Sequence, residues 1–133
     1  MVTSGRCLCG GARYEIDGAL DDASHCHCSM CRREHGAAFG TYADCDPNAF
    51  RWVSGEDLVA VYHTSPSVGW GFCRTCGSTL TEVRDGKITA VTLGTVDGDP
   101  QVRPTSHIFV GSKAPWYEIE DDLPQFDEWP PDQ

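Results

Sequence analysis

The sequence predicts a mainly β, single-domain protein with little helix, its antiparallel strands held together by zinc. Three observations predict it. Seven of the eight cysteines fall into three tight clusters, Cys7-x-Cys9, Cys26-x-Cys28-x-x-Cys31 and Cys73-x-x-Cys76. Short β-forming runs alternate with turn dipeptides along most of the chain. Only Ser29 to His35 has the composition for one or two turns of helix, with Ser29 as its cap. At 133 residues the chain fits one domain, whose usual size is about 100–150 residues. An apolar content of 40% with 14 glycines and 8 prolines suits a turn-rich core.

The elements follow in order. Cys7 and Cys9 stand at the turn that ends a first strand, where Gly10 and Gly11 let the backbone fold around an ion. Ala12 to Ile16 alternates before the turn pair Asp17-Gly18. Ala38 to Ala43 carries Phe39 and Tyr42 and stops at Asp46-Pro47-Asn48. Leu58 to His63 reads as a buried strand, and Val68 to Phe72 as another leading into Cys73. Thr79 to Val83 and Lys87 to Leu93 flank Asp85-Gly86, the clearest hairpin signal, because Asp-Gly suits a tight turn with positive φ. Ser106 to Val110 is the last strand. Residues 1–118 form the domain, and 119–133 an extended acidic arm interrupted by Pro124, Pro130 and Pro131. Its acids, with Glu118, are Glu120, Asp121, Asp122, Asp127, Glu128 and Asp132, and they read as solvated.

Clustered thiols admit two uses, disulfides or metal. No apolar run near the N-terminus makes a secretory signal, and none approaches the roughly 18 residues of a membrane span. Cys-x-Cys would close a strained ring if oxidised. In a reducing cytoplasm this spacing points to zinc. Two clusters offer two sulfurs and the middle one three, the arithmetic of one closed site and one with a vacant position. An ion shared between the two distant pairs would clip the chain's start to its middle, a structural task. The central cluster is local. A formal net charge of −10 excludes general binding to nucleic acid or anionic membranes, which needs lysine and arginine stripes.

Neighbouring residues carry alternatives. His25 or His27 could supply a fourth ligand to the central cluster, although alternation turns His27 away from Cys26 and Cys28 in an extended segment. Cys45, outside the clusters, reads as a buried free thiol. Trp52 and Trp70 read as packing residues. Cys73-x-x-Cys76 lacks the βαβ setting of a thiol-disulfide oxidoreductase.

The chain resembles the glutathione-dependent formaldehyde-activating enzymes, which share their domain with centromere protein V. The resemblance rests on Gly5-Arg6-Cys7-Leu8-Cys9-Gly10-Gly11, Cys26-His27-Cys28-Ser29-Met30-Cys31-Arg32-Arg33 and Phe72-Cys73-Arg74-Thr75-Cys76-Gly77-Ser78. It continues through Ser106-His107-Ile108, Ser112-Lys113-Ala114-Pro115-Trp116 and Asp122-Leu123-Pro124. It implies a zinc-bound β-tent fold. By the same resemblance Cys7, Cys9, Cys73 and Cys76 hold a structural zinc, and Cys26, Cys28 and Cys31 a catalytic-type zinc. The implied reaction is a carbon–sulfur lyase-type one joining glutathione, or another small thiol, to formaldehyde or another small aldehyde, giving S-hydroxymethylglutathione. Arg32 and Arg33 would then meet the carboxylates of glutathione. His107, Lys113 and Trp116 could line the pocket, though Trp116 reads first as core and Lys113 as exposed. The competing expectation is a zinc-stabilised binding module without catalysis.

Overall fold

The computed structural model describes residues 1–131; Asp132 of the acidic arm lies outside them. Among the described residues ten strands form two sheets, as a mainly β fold requires. The smaller sheet has the order β1-β2-β5, from β1 (Val2–Arg6), β2 (Arg13–Asp17) and β5 (Phe50–Ser54). The larger comprises β3 (Asp21–Cys26), β4 (Gly40–Asp44), β6 (Val59–His63), β7 (Val68–Cys73), β8 (Thr79–Arg84), β9 (Lys87–Thr92) and β10 (His107–Ile108). Its order is β10-β3-β4-β9-β8-β7-β6. The single α-helix among the described residues, α1 (Ser29–His35), follows β3 closely.

The two sheets share one core. Ala12, Tyr14 and Ile16 come from the smaller sheet and its leading turn; Ala43, Leu80 and Val91 come from the larger. Period-two alternation selects them, since residues two apart in a strand share a face. Tyr14 stacks on Phe50 with ring centroids 5.4 Å apart, and its hydroxyl meets Thr95 at 2.8 Å. Gly5 is required beside it, because a Cβ there would stand 2.3 Å from the Tyr14 ring.

Three expectations are corrected. The Leu58–His63 run is not a buried strand: β6 is the outer strand of its sheet, bonded only to β7, with Val61 and Tyr62 exposed. The Ser106–Val110 strand contracts to β10, because Phe109 turns into left-handed backbone at φ 55°. β10 also runs parallel to β3, so the larger sheet is mixed rather than wholly antiparallel.

The segment after Glu118 has no regular strand but lies against β10. Phe126 N donates to His107 O at 2.9 Å and His107 N to Pro124 O at 2.9 Å. Its described acids are exposed, yet Asp121 accepts from the buried His107 ring at 3.0 Å. No helix among the described residues is long and apolar enough to cross a membrane.

Candidate metal centres and cleft

All eight cysteines are free thiols, and seven of them gather at two points. At the first, two turns face each other. Cys7 and Cys9 lie in the loop from β1 to β2, while Cys73 ends β7 and Cys76 lies in the turn that follows it to β8. All four sulfurs lie within 4.8 Å of one another. Cys7 Sγ is 3.5 Å from Cys9 Sγ, which is 3.8 Å from Cys73 Sγ. A tetrahedral zinc with arms of about 2.3 Å sets its sulfurs about 3.8 Å apart, so the quartet fits that ion. Gly10 and Gly77 tighten the two turns with φ of 76° and 82°, conformations that glycine adopts freely.

Polar neighbours support the thiolates. Ala12 N donates to Cys7 Sγ at 3.3 Å. Ser78 joins the two turns: it accepts from Leu8 N at 2.9 Å and directs its hydroxyl to Cys76 Sγ at 3.3 Å. That hydroxyl, with the Cys9 and Ser78 amides, holds the Cys76 thiol down to about 5. Burial opposes ionisation of Cys7, but the Ala12 amide and the Cys9 and Cys73 thiols outweigh it and hold Cys7 below its ordinary value. The Gly11 amide favours the Cys9 thiolate, yet Cys7 and the remaining thiols push Cys9 up to about 11. Without a cation, therefore, ionisation of one sulfur suppresses that of its neighbour. A divalent ion removes that conflict.

The second point is built by the junction of β3 and α1. Cys26 ends β3, Cys28 is the residue before the helix, and Cys31 lies in its first turn. Their sulfurs also lie within 4.8 Å of one another. The helix cap is Cys28 rather than Ser29: its sulfur accepts from Cys31 N at 3.3 Å, the bond a serine cap would accept. Hydrogen bonds from Cys26 and Cys31 draw the Cys28 thiol far down, to about 2, while Cys28 pushes Cys26 up to about 12. Cys31 rises further, because Cys26 and Cys28 both oppose its ionisation. A compact set of three thiols with one dominant thiolate fits a borderline-soft cation.

Neither neighbouring histidine belongs to this trio. His25 Nδ1 meets Thr41 Oγ1 at 2.8 Å. His27 is fully buried, and its Nε2 meets His107 Nδ1 at 2.7 Å. Since the Asp121 carboxylate accepts from His107 Nε2, a neutral His107 accepts from His27 Nε2–H. Burial, then the nearby His107, push His27 down to about 4, so it stays neutral. Cys45 is a buried free thiol.

A cleft of about 740 Å³ opens onto the trio. Its floor is one face of the larger sheet, read by alternation: Asp22, Ser24 and Cys26 on β3, Tyr42 and Asp44 on β4, Ala90 on β9, Glu82 and Arg84 on β8, Val68 and Trp70 on β7. Phe109 and Trp129 also line it; their rings meet edge to face at 5.2 Å. Tyr42 packs against Trp70 at 5.0 Å, and its hydroxyl meets His35 Nε2 at 2.5 Å. Burial, then the Cys31 charge, push Tyr42 well above its ordinary value, so it stays a phenol.

The other expected residues lie elsewhere. Arg32 and Arg33 do not line the cleft; Arg32 is half-buried on α1 and Arg33 exposed. His107 is buried on β10, an outer strand of the larger sheet, and does not line the cleft. Lys113 is half-buried rather than exposed, and donates to the carbonyls of Ala114 and Tyr117. Trp116 is not core: it is 69% exposed and, with Tyr117, Glu118 and Glu120, edges a separate hollow of about 500 Å³. Trp52 packs as expected, but Trp70 is also a wall of the cleft. Sequence reasoning missed Tyr42, Asp22, Asp44, Glu82 and Ser78 as site residues. Alternation outward from Cys26 would have found Ser24, but the bulge in β3 breaks the pattern before Asp22.

The fold and these two sites define a small β protein with a four-thiol and a three-thiol metal-type cluster, the latter open to a cleft. The family model described as glutathione-dependent formaldehyde-activating enzyme matches residues 2–112, and the chain belongs to that family. Membership places its activity among those related to glutathione and formaldehyde. The fold is similar to that of a crystal structure of a Rhodobacter sphaeroides protein, at 27% identity and a TM-score of 0.60. That similarity covers 72% of this chain and 89% of the other. No curated protein matches this sequence.

Proposed function

We propose that this protein is a zinc-dependent enzyme of the carbon–sulfur lyase type, joining glutathione or a related small thiol to formaldehyde. The observation that carries the proposal is the difference between the clusters: four sulfurs in one and three in the other, the three opening onto a cleft. A four-thiolate zinc is closed, whereas three protein ligands leave a position for substrate. Cys7, Cys9, Cys73 and Cys76 would hold the structural ion, and Cys26, Cys28 and Cys31 the catalytic-type ion. When bound there, zinc lowers the pKa of an incoming thiol and can polarise an aldehyde oxygen.

The balanced reaction is a simple addition. The thiol sulfur forms a bond to the carbonyl carbon, the π pair moves to oxygen, and the proton lost by the thiol ends on that oxygen. The chain's own residues supply the setting. Cys26 and Cys28 oppose ionisation of Cys31, and a hydrogen bond from Tyr42 offsets part of that opposition, while the His35 ring fixes the phenol. Trp70, Phe109 and Trp129 give the cleft aromatic walls. Thiolate clusters of this kind persist in a reducing compartment, which suits cytoplasmic work.

The test follows exchange between glutathione and its hydroxymethyl adduct by NMR, with zinc-loaded protein. Acceleration is expected with the native chain. Glutathione binding should release a proton, because the thiol must ionise. S-methylglutathione, which cannot ionise, should bind at least about tenfold more weakly. Equal affinity for the methylated ligand, without proton release, would overturn thiol capture. No acceleration at all would favour a binding module.

A further inference from the structure

Behind the three thiols lies a chain of polar side chains that the proposed chemistry does not use. Cys26 and Cys28 flank His27, and in extended backbone the middle side chain points away from its two neighbours. The His27 ring packs with those of Phe39, His107 and Tyr117 at centroid distances of 5.0, 5.0 and 6.2 Å. None of these lines the cleft. From His27 the hydrogen bonds run outward, Nε2 to His107 Nδ1 at 2.7 Å and His107 Nε2 to the Asp121 carboxylate at 3.0 Å. Both rings are buried, whereas Asp121 is exposed.

The order of protons along this chain is set from its outer end. The bond from His107, then the Leu123 amide, hold the Asp121 carboxyl below its ordinary range. An ionised carboxylate only accepts, so His107 carries its proton on Nε2 and, when neutral, accepts at Nδ1. His27 must then donate from Nε2. Its Nδ1 is buried without a partner, so a proton placed there would have no acceptor.

What the chain holds is the backbone between two candidate ligands. Strand pairing with β10 ends at Ile108↔Cys26, and beyond it His27 N still donates to Ile108 O at 2.9 Å. The His27 ring supplies a further anchor. Freed from His107, it would be a buried imidazole with neither nitrogen paired, a state that burial penalises. Its escape would carry Cys26 and Cys28 with it. Asp121 reaches the chain because the segment after Glu118 brackets His107 with two main-chain bonds, to Pro124 and from Phe126. Phe126 also packs against Cys26, Cys31, Tyr42 and Ile108. An arm that reads as solvated in the sequence thus turns one carboxylate inward.

We infer that Asp121, His107 and His27 are positioning residues of the three-thiol centre. The carboxylate orders the two rings, and the rings hold Cys26 and Cys28 where one ion can take both sulfurs together with that of Cys31. The inference rests on the proposed ion at that centre. None of the three is itself a ligand; they act through the backbone of residues 26–28.

The test uses the full chain with one and with two equivalents of zinc. Asp121→Ala removes the acceptor from an exposed side chain, so the fold should stand. Asp121→Asn keeps it, because Oδ1 alone reaches His107 Nε2 at 3.1 Å and Leu123 N at 3.0 Å. Chelator competition gives the affinity for each ion, and cysteine Cβ NMR shifts tell which centre empties. Long-range nitrogen–proton spectra read the histidine tautomers. The native chain should take two ions and carry a proton on Nε2 of both His27 and His107. Asp121→Ala should lose that order and weaken zinc at the three-thiol centre about tenfold or more, leaving the four-thiol centre unchanged. Asp121→Asn should restore most of the affinity. Unchanged affinity at the three-thiol centre in Asp121→Ala, or equal weakening at both centres, would overturn the positioning role. So would an Asp121→Asn chain as weak as Asp121→Ala, or a native His27 with its proton on Nδ1. Uptake of only one ion by the native chain would overturn the proposed centre and the positioning role with it, a failure told apart because it precedes any substitution.

Discussion

Ser78 is polar, small and outside every cysteine cluster, yet it ties the two turns of the first centre together through Leu8 N and Cys76 Sγ. Its hydroxyl supplies the leading cause of the lowered Cys76 thiol, so its loss should weaken metal binding without removing a ligand. Ser78→Ala is expected to lower metal affinity about tenfold or more in a chelator competition; unchanged affinity would show that Ser78 only shapes the turn. Asp44 gives a second prediction. Its carboxyl is pushed up to about 6 by burial, then by Asp22 and Glu82, above the ordinary unfolded value of about 3.9. The folded chain therefore binds more protons than the unfolded one between those values, and stability declines as pH rises through them. Asp44→Asn should melt higher than the native chain above pH of about 6 and converge with it below about 4. Thermal melts across that range check it, and a difference independent of pH would sink it. Neither residue was legible as functional in the sequence, because an isolated serine or aspartate carries no spacing signal.

Among the elements, the β8–β9 hairpin was the most legible. Asp85 and Gly86 both take positive φ, 50° and 77°, and Arg84 pairs with Lys87 across the turn, as the dipeptide required. β3 was illegible for the opposite reason: Asp21 and Asp22 look like loop, and Asp22 takes φ of 46° in a bulged strand. Pairing with β4 on one side and β10 on the other makes it a strand. β1 and β5 were not delimited either, since β1 buries only the small Thr3 and Gly5 and β5 leaves Arg51, Val53 and Ser54 exposed, so neither carries an apolar run. α1 was placed correctly, but Ser29 was favoured over Cys28 because serine caps are commoner. Cys28 therefore has two tasks, cap and candidate ligand. Cys28→Ala is expected to stay folded, lose about 1 kcal/mol through the cap, and bind one metal ion fewer with no thiol–aldehyde activity. Metal analysis beside a denaturant titration checks it. Retention of both ions would remove Cys28 from the site.

At the scale of the whole molecule, the first centre sits where the two sheets meet. Cys7 and Cys9 belong to the loop of the smaller sheet, Cys73 and Cys76 to the turn of the larger. The sheets also share the core around Tyr14, Leu80 and Val91, but Cys9 and Cys73 stand 64 positions apart in sequence, a long loop for an ion to close. Closing it costs entropy that grows slowly with length, and a metal bound to the folded chain offsets that cost as folding free energy. The second centre closes only the short loop from Cys26 to Cys31. The cysteine spacings made this contrast readable before any coordinates, whereas the cleft needed the register of five strands to appear. Cys73→Ser should therefore act globally where Cys28→Ala acts locally. Cys73 is fully buried at the end of β7, so the variant both loses a ligand and leaves the remaining thiolates in conflict. Release of the structural ion and cooperative loss of both sheets are expected, read as metal content and far-ultraviolet circular dichroism at one temperature. A Cys73→Ser chain that keeps its metal and its native melting temperature would overturn the structural assignment. Unfolding of Cys28→Ala to the same degree would make both centres structural, and would leave the cleft a binding site without a reactive ion.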